Sequence, residues 1–215
     1  MVIEWLGHSC FKVTVGNETK ILFDPYDDTI GYPHQDVEAD IVVISHAHFD
    51  HNDLSLVKGK YSVVKTQGVH QFGNLKIEGV KTWHDHSQGR HRGENLAFML
   101  FTDGIKLCHM GDIGCIPSEE VYKKIEGTDI LLIPVGGHYT IDAKEALTIC
   151  ERLSPNIIIP MHFKTPASTL DIALLDDFLE ASDREYDVSR PGKCYLEIDK
   201  TSLKKRTRIV VMEYL

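Results

Sequence analysis

The sequence predicts an α/β fold, and two patterns along the chain indicate it. Short aliphatic or alternating segments, bounded by turn residues, fill the first half and are typical of strands. The second half alternates amphipathic helical segments with short aliphatic ones, as in helices packed on a sheet. No low-complexity linker divides the 215 residues, so we expect one domain over residues 1–215.

Strands account for most of the first half. The run Ile41-Val42-Val43-Ile44 is aliphatic throughout, which is typical of a strand buried on both faces. Asn52 and Asp53 are favourable N-cap residues, so we expect a short helix from there through Lys58. The strands of this half are predicted at residues 2–6, 11–15, 20–23, 41–44, 61–64, 75–82, 96–101 and 105–109.

Helices and strands alternate in the second half. Helices are predicted at residues 118–125, 142–153 and 168–181, and strands at residues 130–133, 157–159, 194–198 and 208–212. In the third helix, Leu170, Leu174 and Phe178 recur at helical spacing and would form its buried face.

Three of these strands share a pattern that ends in histidine. Each time an Asp or Asn leads into an aliphatic strand followed by a histidine: His46, His138 and His162. Ligands of open α/β sheets gather beyond the carboxyl ends of the strands. If the three strands run parallel as neighbours, their histidine-bearing loops would converge on one site.

Composition limits the function classes. Hydrophobic residues make up 42% and charged residues 26%, as in ordinary soluble proteins. The net charge of −9 disfavours nucleic acid as a partner, because a phosphate backbone would be repelled. No apolar run approaches the roughly 20 residues that span a bilayer, and we expect no membrane association and no secretory signal. Five scattered cysteines without a CxxC pair indicate reduced thiols and a cytoplasmic location.

The strongest chemical signal is Ser45-His46-Ala47-His48-Phe49-Asp50-His51. The backbone is still extended just beyond a strand, so His46 and His48 can point to the same side. The following turn would redirect Asp50 and His51. Two imidazoles then suit one cation, and a carboxylate with an imidazole suits a second, since zinc takes both kinds of ligand.

This segment resembles the HxHxDH signature of the metallo-β-lactamase superfamily. The resemblance implies a four-layer αββα sandwich and a binuclear metal-dependent hydrolase. Further motifs follow in the family's order: Thr82-Trp83-His84, Gly111-Asp112 and Pro160-Met161-His162. They imply His84 on the first metal, Asp112 as the bridging carboxylate and His162 on the second metal. A carboxylate can join two cations because it has two oxygens.

Additional motifs point to a branch of the superfamily. Gly7-His8-Ser9 and the segment 136–140 are similar to those of small single-domain hydrolases such as ascorbate-6-phosphate lactonase. His8 and His138 exceed what two metals require, so we interpret them, with Asp50, as catalytic residues. Asp50 would orient water, and His138 or His8 would protonate the leaving group.

One ligand assignment remains open between two neighbours. His84 and His86 both lie beyond the strand predicted at residues 75–82, and His84 is preferred because it matches the motif. His109 is interpreted as a buried imidazole rather than a ligand.

The predicted reaction is hydrolysis by a metal-bridging hydroxide. We predict two divalent metal ions. Zinc is the first choice, with manganese, iron and nickel as alternatives. The substrate would be a small ester, lactone or phosphoester. The basic loop 87–93 makes an anionic one a candidate, although it also fits an ordinary flexible surface loop. A nuclease or phosphodiesterase, or a non-catalytic metal- or ligand-sensing protein, are the alternatives. The sequence does not indicate an oligomeric state.

Overall fold

The computed structural model describes residues 1–16, 18–182, 185–203 and 206–215. In that part of the chain, two large sheets face each other across a shared hydrophobic core. The core takes residues from both sheets, among them Phe11 and Phe23 from one and Phe98 and Ile159 from the other. A two-stranded ribbon and three α-helices complete the architecture.

The first sheet has six strands in the order β15-β1-β2-β3-β5-β7. The strands β1, β3 and β5 run in the same direction, because β1 and β3 are each antiparallel to β2 and β3 is parallel to β5. Its members are β1 (Val2–Gly7), β2 (Cys10–Val15), β3 (Thr19–Phe23), β5 (Ile41–Val43), β7 (Ser62–Val64) and β15 (Tyr195–Glu197).

The second sheet has eight strands in the order β14-β16-β13-β12-β11-β10-β9-β8. The strands β11, β12, β13 and β16 are parallel neighbours, and β8 to β11 form an antiparallel meander. Its members are β8 (Gly68–Phe72), β9 (Leu75–Trp83), β10 (Glu94–Thr102), β11 (Ile105–His109), β12 (Ile130–Pro134), β13 (Ile157–Met161), β14 (Asp187–Ser189) and β16 (Arg208–Val210).

The outer layers differ. The helices α1 (Glu119–Ile125), α2 (Ala143–Leu153) and α3 (Leu175–Ala181) contribute buried residues to the shared core. The outer side of the six-stranded sheet is covered by a 3-10 turn (Asp28–Ile30), by loops, and by the ribbon of β4 (Val37–Glu38) and β6 (Val57–Lys58), around a second cluster that includes Tyr26 and Tyr32. No helix in the described ranges is long and apolar enough to cross a membrane.

The predicted helix from Asn52 to Lys58 is wrong. The side chain of Asp53 accepts hydrogen bonds from the backbone N–H and the hydroxyl of Ser55, which closes a tight turn instead of starting a helix. The chain then extends, and Val57 pairs with Val37 in the ribbon. The strand Gly68–Phe72 was not predicted, because its polar sequence lacks a clear alternation.

The predicted helix 168–181 is confirmed only from Leu175 onward. The preceding backbone bonds to other parts of the molecule rather than to itself: Thr169 N–H donates to Ile30, and Ala173 N–H donates to Gly136. The Lys164 ammonium also donates hydrogen bonds to two carbonyls of this segment, those of Ser168 and Leu170. These contacts hold residues 168–174 as a loop.

The histidine-bearing strands converge, although they are not three neighbours. Strand β5 lies in the six-stranded sheet, whereas β12 and β13 pair in the eight-stranded sheet. The convergence arises because the two sheets are stacked with these carboxyl ends at one edge, as the contacts between their loops show. The strands β1, β3, β9 and β11 also end there.

Candidate metal centre

Three imidazoles form the first part of the centre. His46 and His48 follow β5, and His84 follows β9 in the opposite sheet. One ring nitrogen from each of the three lies within 4.8 Å of those of the others. His46 Nε2 and His48 Nδ1 are 3.0 Å apart, so the spacing of two residues does bring both rings to the same side.

A second group lies beside the first. Asp50 and His51 come from the same turn after β5, His162 follows β13, and His8 follows β1. Their ligand atoms also lie within 4.8 Å of one another. All four residues are buried. The turn therefore separates its four predicted ligands into two pairs that face different partners.

Asp112 lies between the two groups. Its Oδ2 atom is 3.1 Å from His162 Nε2 and 3.2 Å from His51 Nε2 on one side. On the other side it is 3.5 Å from His84 Nε2 and 4.0 Å from His46 Nε2. One buried carboxylate thus faces imidazoles of both groups.

Gly111 and Asn95 hold Asp112 in place. The backbone N–H of Asp112 donates to Asn95 Oδ1 at 3.0 Å, and the amide group of Asn95 donates to Thr82 and to the Met110 carbonyl. Gly111 has φ +55, and a Cβ there would lie 2.4 Å from Asn95 Oδ1. Only glycine lets the backbone approach this closely in that conformation.

Asp24 connects both groups from below. Its carboxylate accepts hydrogen bonds from the backbone and hydroxyl of Ser45 at 2.7 and 2.6 Å, and from His51 Nδ1 at 2.9 Å. Since the Ser45 hydroxyl proton goes to Asp24, its oxygen accepts from His46 Nδ1 at 2.9 Å. The Nε2 atoms of His46 and His51 therefore face the centre.

The electrostatics differ between the imidazoles: burial favours the neutral form of His46 and His8, whereas Asp112 and Asp50 outweigh burial at His51 and raise its pKa well above the usual value. Burial, reinforced by the neighbouring His51, lowers the pKa of His46 to about 3. Burial and the nearby His162 lower the pKa of His8 to about 4. Burial opposes ionisation of Asp112, yet His162 and His51 hold its pKa well below the usual range. Neutral imidazole and ionised carboxylate are the forms that bind metal.

Several buried polar atoms have no hydrogen-bond partner among the described residues. They include Asp112 Oδ1, His51 Nε2 and His162 Nε2, all within the centre. An orphaned buried polar atom costs about 1–3 kcal/mol, and native proteins rarely leave one unmatched. Imidazole nitrogens and carboxylate oxygens are the atom types that coordinate divalent cations, so such cations fit the donor set that these residues provide.

Backbone strain is also concentrated here. His8, Asp24 and His162 have φ values of 51, 43 and 51, in the left-handed region that non-glycine residues rarely adopt. Each costs on the order of 1 kcal/mol and persists only where surrounding contacts impose it. Each of the three directly follows a strand, and each side chain reaches the centre.

The remaining candidate histidines contact residues outside the two groups. His86 is exposed and faces Glu145 Oε1 at 3.6 Å, which supports His84 over His86. His138 is exposed, and its ring packs on Tyr139 with centroids 4.4 Å apart. His109 uses both ring nitrogens: Nδ1 accepts from Gly111, and Nε2 donates to the Ser9 carbonyl.

Sequence reasoning missed Asp24 and Asn95. Asp24 stands between a strand and Pro25, which is also how an ordinary strand end appears. Asn95 lies within β10, where an asparagine in an otherwise apolar strand was the available signal. A fully buried amide in a strand needs specific partners, and here those partners position Asp112.

A cavity of about 280 Å³ opens over the centre. Its floor is formed by metal-ligand candidates, and its walls by aromatic, aliphatic and basic side chains. The lining residues are His48, Phe49, Asp50, His84, Arg92, Asp112, Tyr139 and Leu170.

A family model described as the β-lactamase superfamily domain matches residues 2–162. The chain belongs to this superfamily. A UPF0173 metal-dependent hydrolase of Carboxydothermus hydrogenoformans is 30% identical, with 90% of this chain and 98% of the relative covered. Another, from Thermococcus onnurineus, is also 30% identical, with 76% and 84% covered.

A solved structure from Thermotoga maritima supports the same assignment. It is described as a proposed Zn-dependent hydrolase of the metallo-β-lactamase superfamily and is 36% identical, with a TM-score of 0.81 over 100% of this chain and 99% of that one. The predicted superfamily and its α/β fold are thereby confirmed. The chain groups with metal-dependent hydrolases of the metallo-β-lactamase superfamily. The likeness to ascorbate-6-phosphate lactonase stays a prediction.

Proposed function

We propose that the chain is a binuclear metal-dependent hydrolase acting on a small ester, lactone or phosphoester. The observation that carries the proposal is the convergence of buried imidazoles and carboxylates from both sheets, with ligand atoms that lack other partners. In the proposed assignment, the first cation takes His46, His48 and His84. The second takes Asp50, His51 and His162, and Asp112 serves both.

Divalent cations bound there would supply hydroxide from water near neutral pH and polarise the scissile group. Zinc is our first choice, because the donor set is imidazole and carboxylate; manganese, iron or nickel would accept it too. The chain's own contribution is to hold the donors in position. Asp24 orients His51 directly and His46 through Ser45.

The proton-handling residues follow from the same geometry. His8 Nε2 lies 3.2 Å from Asp50 Oδ2, and a neutral His8 would donate its proton there and fix the carboxylate that orients water. Because His8 is fully buried beneath Asp50, we propose that it acts through that carboxylate. His138 stays a candidate proton donor, since its neighbour Tyr139 lines the cavity.

The test compares metal-loaded and chelator-stripped protein on 4-nitrophenyl acetate and bis(4-nitrophenyl) phosphate. We expect turnover that is lost in the chelator and restored by zinc or manganese. His48→Ala should lower kcat/KM at least 100-fold, whereas His70→Ala, at a half-buried histidine on the edge strand β8, should not. Stoichiometric metal binding without turnover on a broad ester and phosphoester panel would instead favour the sensing alternative.

A further inference from the structure

The cavity over the metal centre contains a single strongly basic side chain among the described residues that line it. This residue is Arg92, on the loop that follows His84. The carboxylates of Asp50 and Asp112 also line this cavity and belong to the candidate ligand groups. One positive group thus lines the cavity together with candidate metal ligands, where it can meet another part of a molecule bound there.

Two contacts hold the Arg92 guanidinium. Its Nη1 donates to the His138 carbonyl at 2.7 Å, and its central carbon lies 4.8 Å from the centroid of the Tyr139 ring. Among the described residues it has no carboxylate within ion-pair distance and no further hydrogen bond. Most of its five donors remain available, and a guanidinium pairs with planar or tetrahedral oxyanions through two parallel hydrogen bonds.

The loop that carries Arg92 is fixed by Asp85. The Asp85 carboxylate accepts backbone N–H groups at 2.7–3.0 Å from four loop residues, namely Ser87, Gly89, His91 and Arg92. The predicted flexible loop is therefore a braced one. These four amides are already used, and Arg92 is the loop residue whose side chain lines the cavity.

Arg92 could instead have a purely structural role through its hydrogen bond to the His138 carbonyl. Its bond to His138 links the loop after β9 to the segment after β12, and such a link would stabilise both. That role needs one donor and no charge, yet the guanidinium carries a charge without a carboxylate partner beside a half-enclosed cavity. A guanidinium without a carboxylate partner, placed beside a cavity, is free to meet an anionic ligand.

We propose that Arg92 binds an oxyanion group of the substrate, a carboxylate or a phosphate, while the scissile bond lies over the metal centre. Arg92 is then the specificity-determining residue, and the substrate class narrows to small anionic esters, lactones or phosphoesters. This inference rests on the proposed function, because it needs the metal centre to hold the other end of the molecule.

The test measures binding of matched probes to zinc-loaded protein by calorimetry. Acetohydroxamate carries a metal-binding group alone. Succinic and glutaric monohydroxamates add a carboxylate on tails of two lengths, and 3-phosphonopropionohydroxamate adds a phosphonate. We expect at least one anionic probe to bind at least 10-fold tighter than acetohydroxamate. The carboxylate and phosphonate arms show which oxyanion is preferred.

The variants separate recognition from structure. Arg92→Gln should abolish the preference for anionic probes and leave acetohydroxamate binding within 2-fold. Arg90→Gln, an exposed charge on the same loop, should leave the preference intact. If Arg92→Gln does not fold, Arg92→Lys provides the comparison, with a preference reduced about 3-fold by loss of the paired donors.

Two results would overturn the inference in different ways. An unchanged preference in Arg92→Gln, or an equal loss for all probes, contradicts the role of Arg92 alone. Failure of every hydroxamate to bind the zinc-treated wild-type protein contradicts the metal centre, and the inference falls with it.

Discussion

At the scale of single residues, the proposed metal centre depends on side chains outside its proposed ligand set. Asp24 is fully ionised in this account: burial raises its pKa, but the hydrogen bond and charge of His51 keep it below its usual value. It therefore orients two ligand imidazoles and supplies negative charge beneath them. Carboxylates placed behind metal-binding histidines commonly tune affinity by 10–100-fold.

Replacing Asp24 should weaken metal binding without removing a ligand. We expect Asp24→Asn to raise the zinc dissociation constant about 10–100-fold, because the amide keeps the shape but loses the charge that orients His51. Competition with a chromophoric chelator measures the constant. Asp40→Asn, at an exposed carboxylate that caps the Lys20 backbone, should leave it unchanged; equal effects in the two variants would contradict the role assigned to Asp24.

Gly111 provides a second prediction at this scale. Gly111→Ala combines a strained φ of +55 with a Cβ that meets Asn95 and Ser45, so we expect a loss of about 1–3 kcal/mol in unfolding free energy and weaker zinc binding. Urea denaturation and zinc titration measure the two effects. Gly73→Ala has a similar φ of +58 but nothing within 4 Å, and should leave zinc binding unaffected.

Local sequence signals predicted the candidate ligands better than the residues that position them. His46 to His51 form a dense motif directly after a buried strand. The spacing within that motif predicted that His46 and His48 would lie on the same side. Asp24 and Asn95 act through partners 21 and 17 positions away, so no local pattern could distinguish them from a strand end and a polar strand residue. Their roles appear only when the sheets are stacked.

At the scale of elements, most strands followed from aliphatic runs and turn residues. The errors arose where other hydrogen bonds, either within a tight turn or to distant segments, replaced the helical ones. Asp53 closed a turn with Ser55 instead of capping a helix. Residues 168–174, despite helical spacing of their leucines, bonded to Ile30 and Gly136. Periodicity describes the burial of side chains, and it cannot show where a backbone donor finds its acceptor.

The loop after β9 gives a prediction at this scale. Asp85→Ala removes the acceptor of four backbone N–H groups, so amide hydrogen exchange should accelerate at residues 87–92. Mass spectrometry of exchanged peptides measures it. Asp142→Ala, which removes the capping box of α2, should accelerate exchange at the start of that helix instead. Unchanged exchange at residues 87–92 would show that the loop is braced by other contacts.

At the scale of the whole molecule, the proposed ligands from both sheets lie together at one edge of a common core. Metal binding should therefore stabilise the entire fold, since the ligands meet only when both sheets are in place. We further propose that residues 1–215 unfold as one domain, because one buried cluster includes residues from each sheet and all three helices.

Thermal unfolding tests this coupling. With free zinc at 100 times the dissociation constant, one site should add about 2.7 kcal/mol to the unfolding free energy, or roughly 5–10 °C in Tm. Chelator-stripped protein should unfold in a single transition at the lower temperature. A zinc-dependent shift in wild type that persists in His48→Ala combined with His162→Ala would place the stabilising ion elsewhere.

The most direct measurement of the central claim is anomalous diffraction from a zinc-bound crystal. We expect two peaks per chain, one about 2.0–2.2 Å from ligand atoms of His46, His48 and His84 and one at that distance from those of Asp50, His51 and His162. Asp112 should lie between them. Anomalous peaks only at other positions, with density for these side chains free of metal, would contradict it.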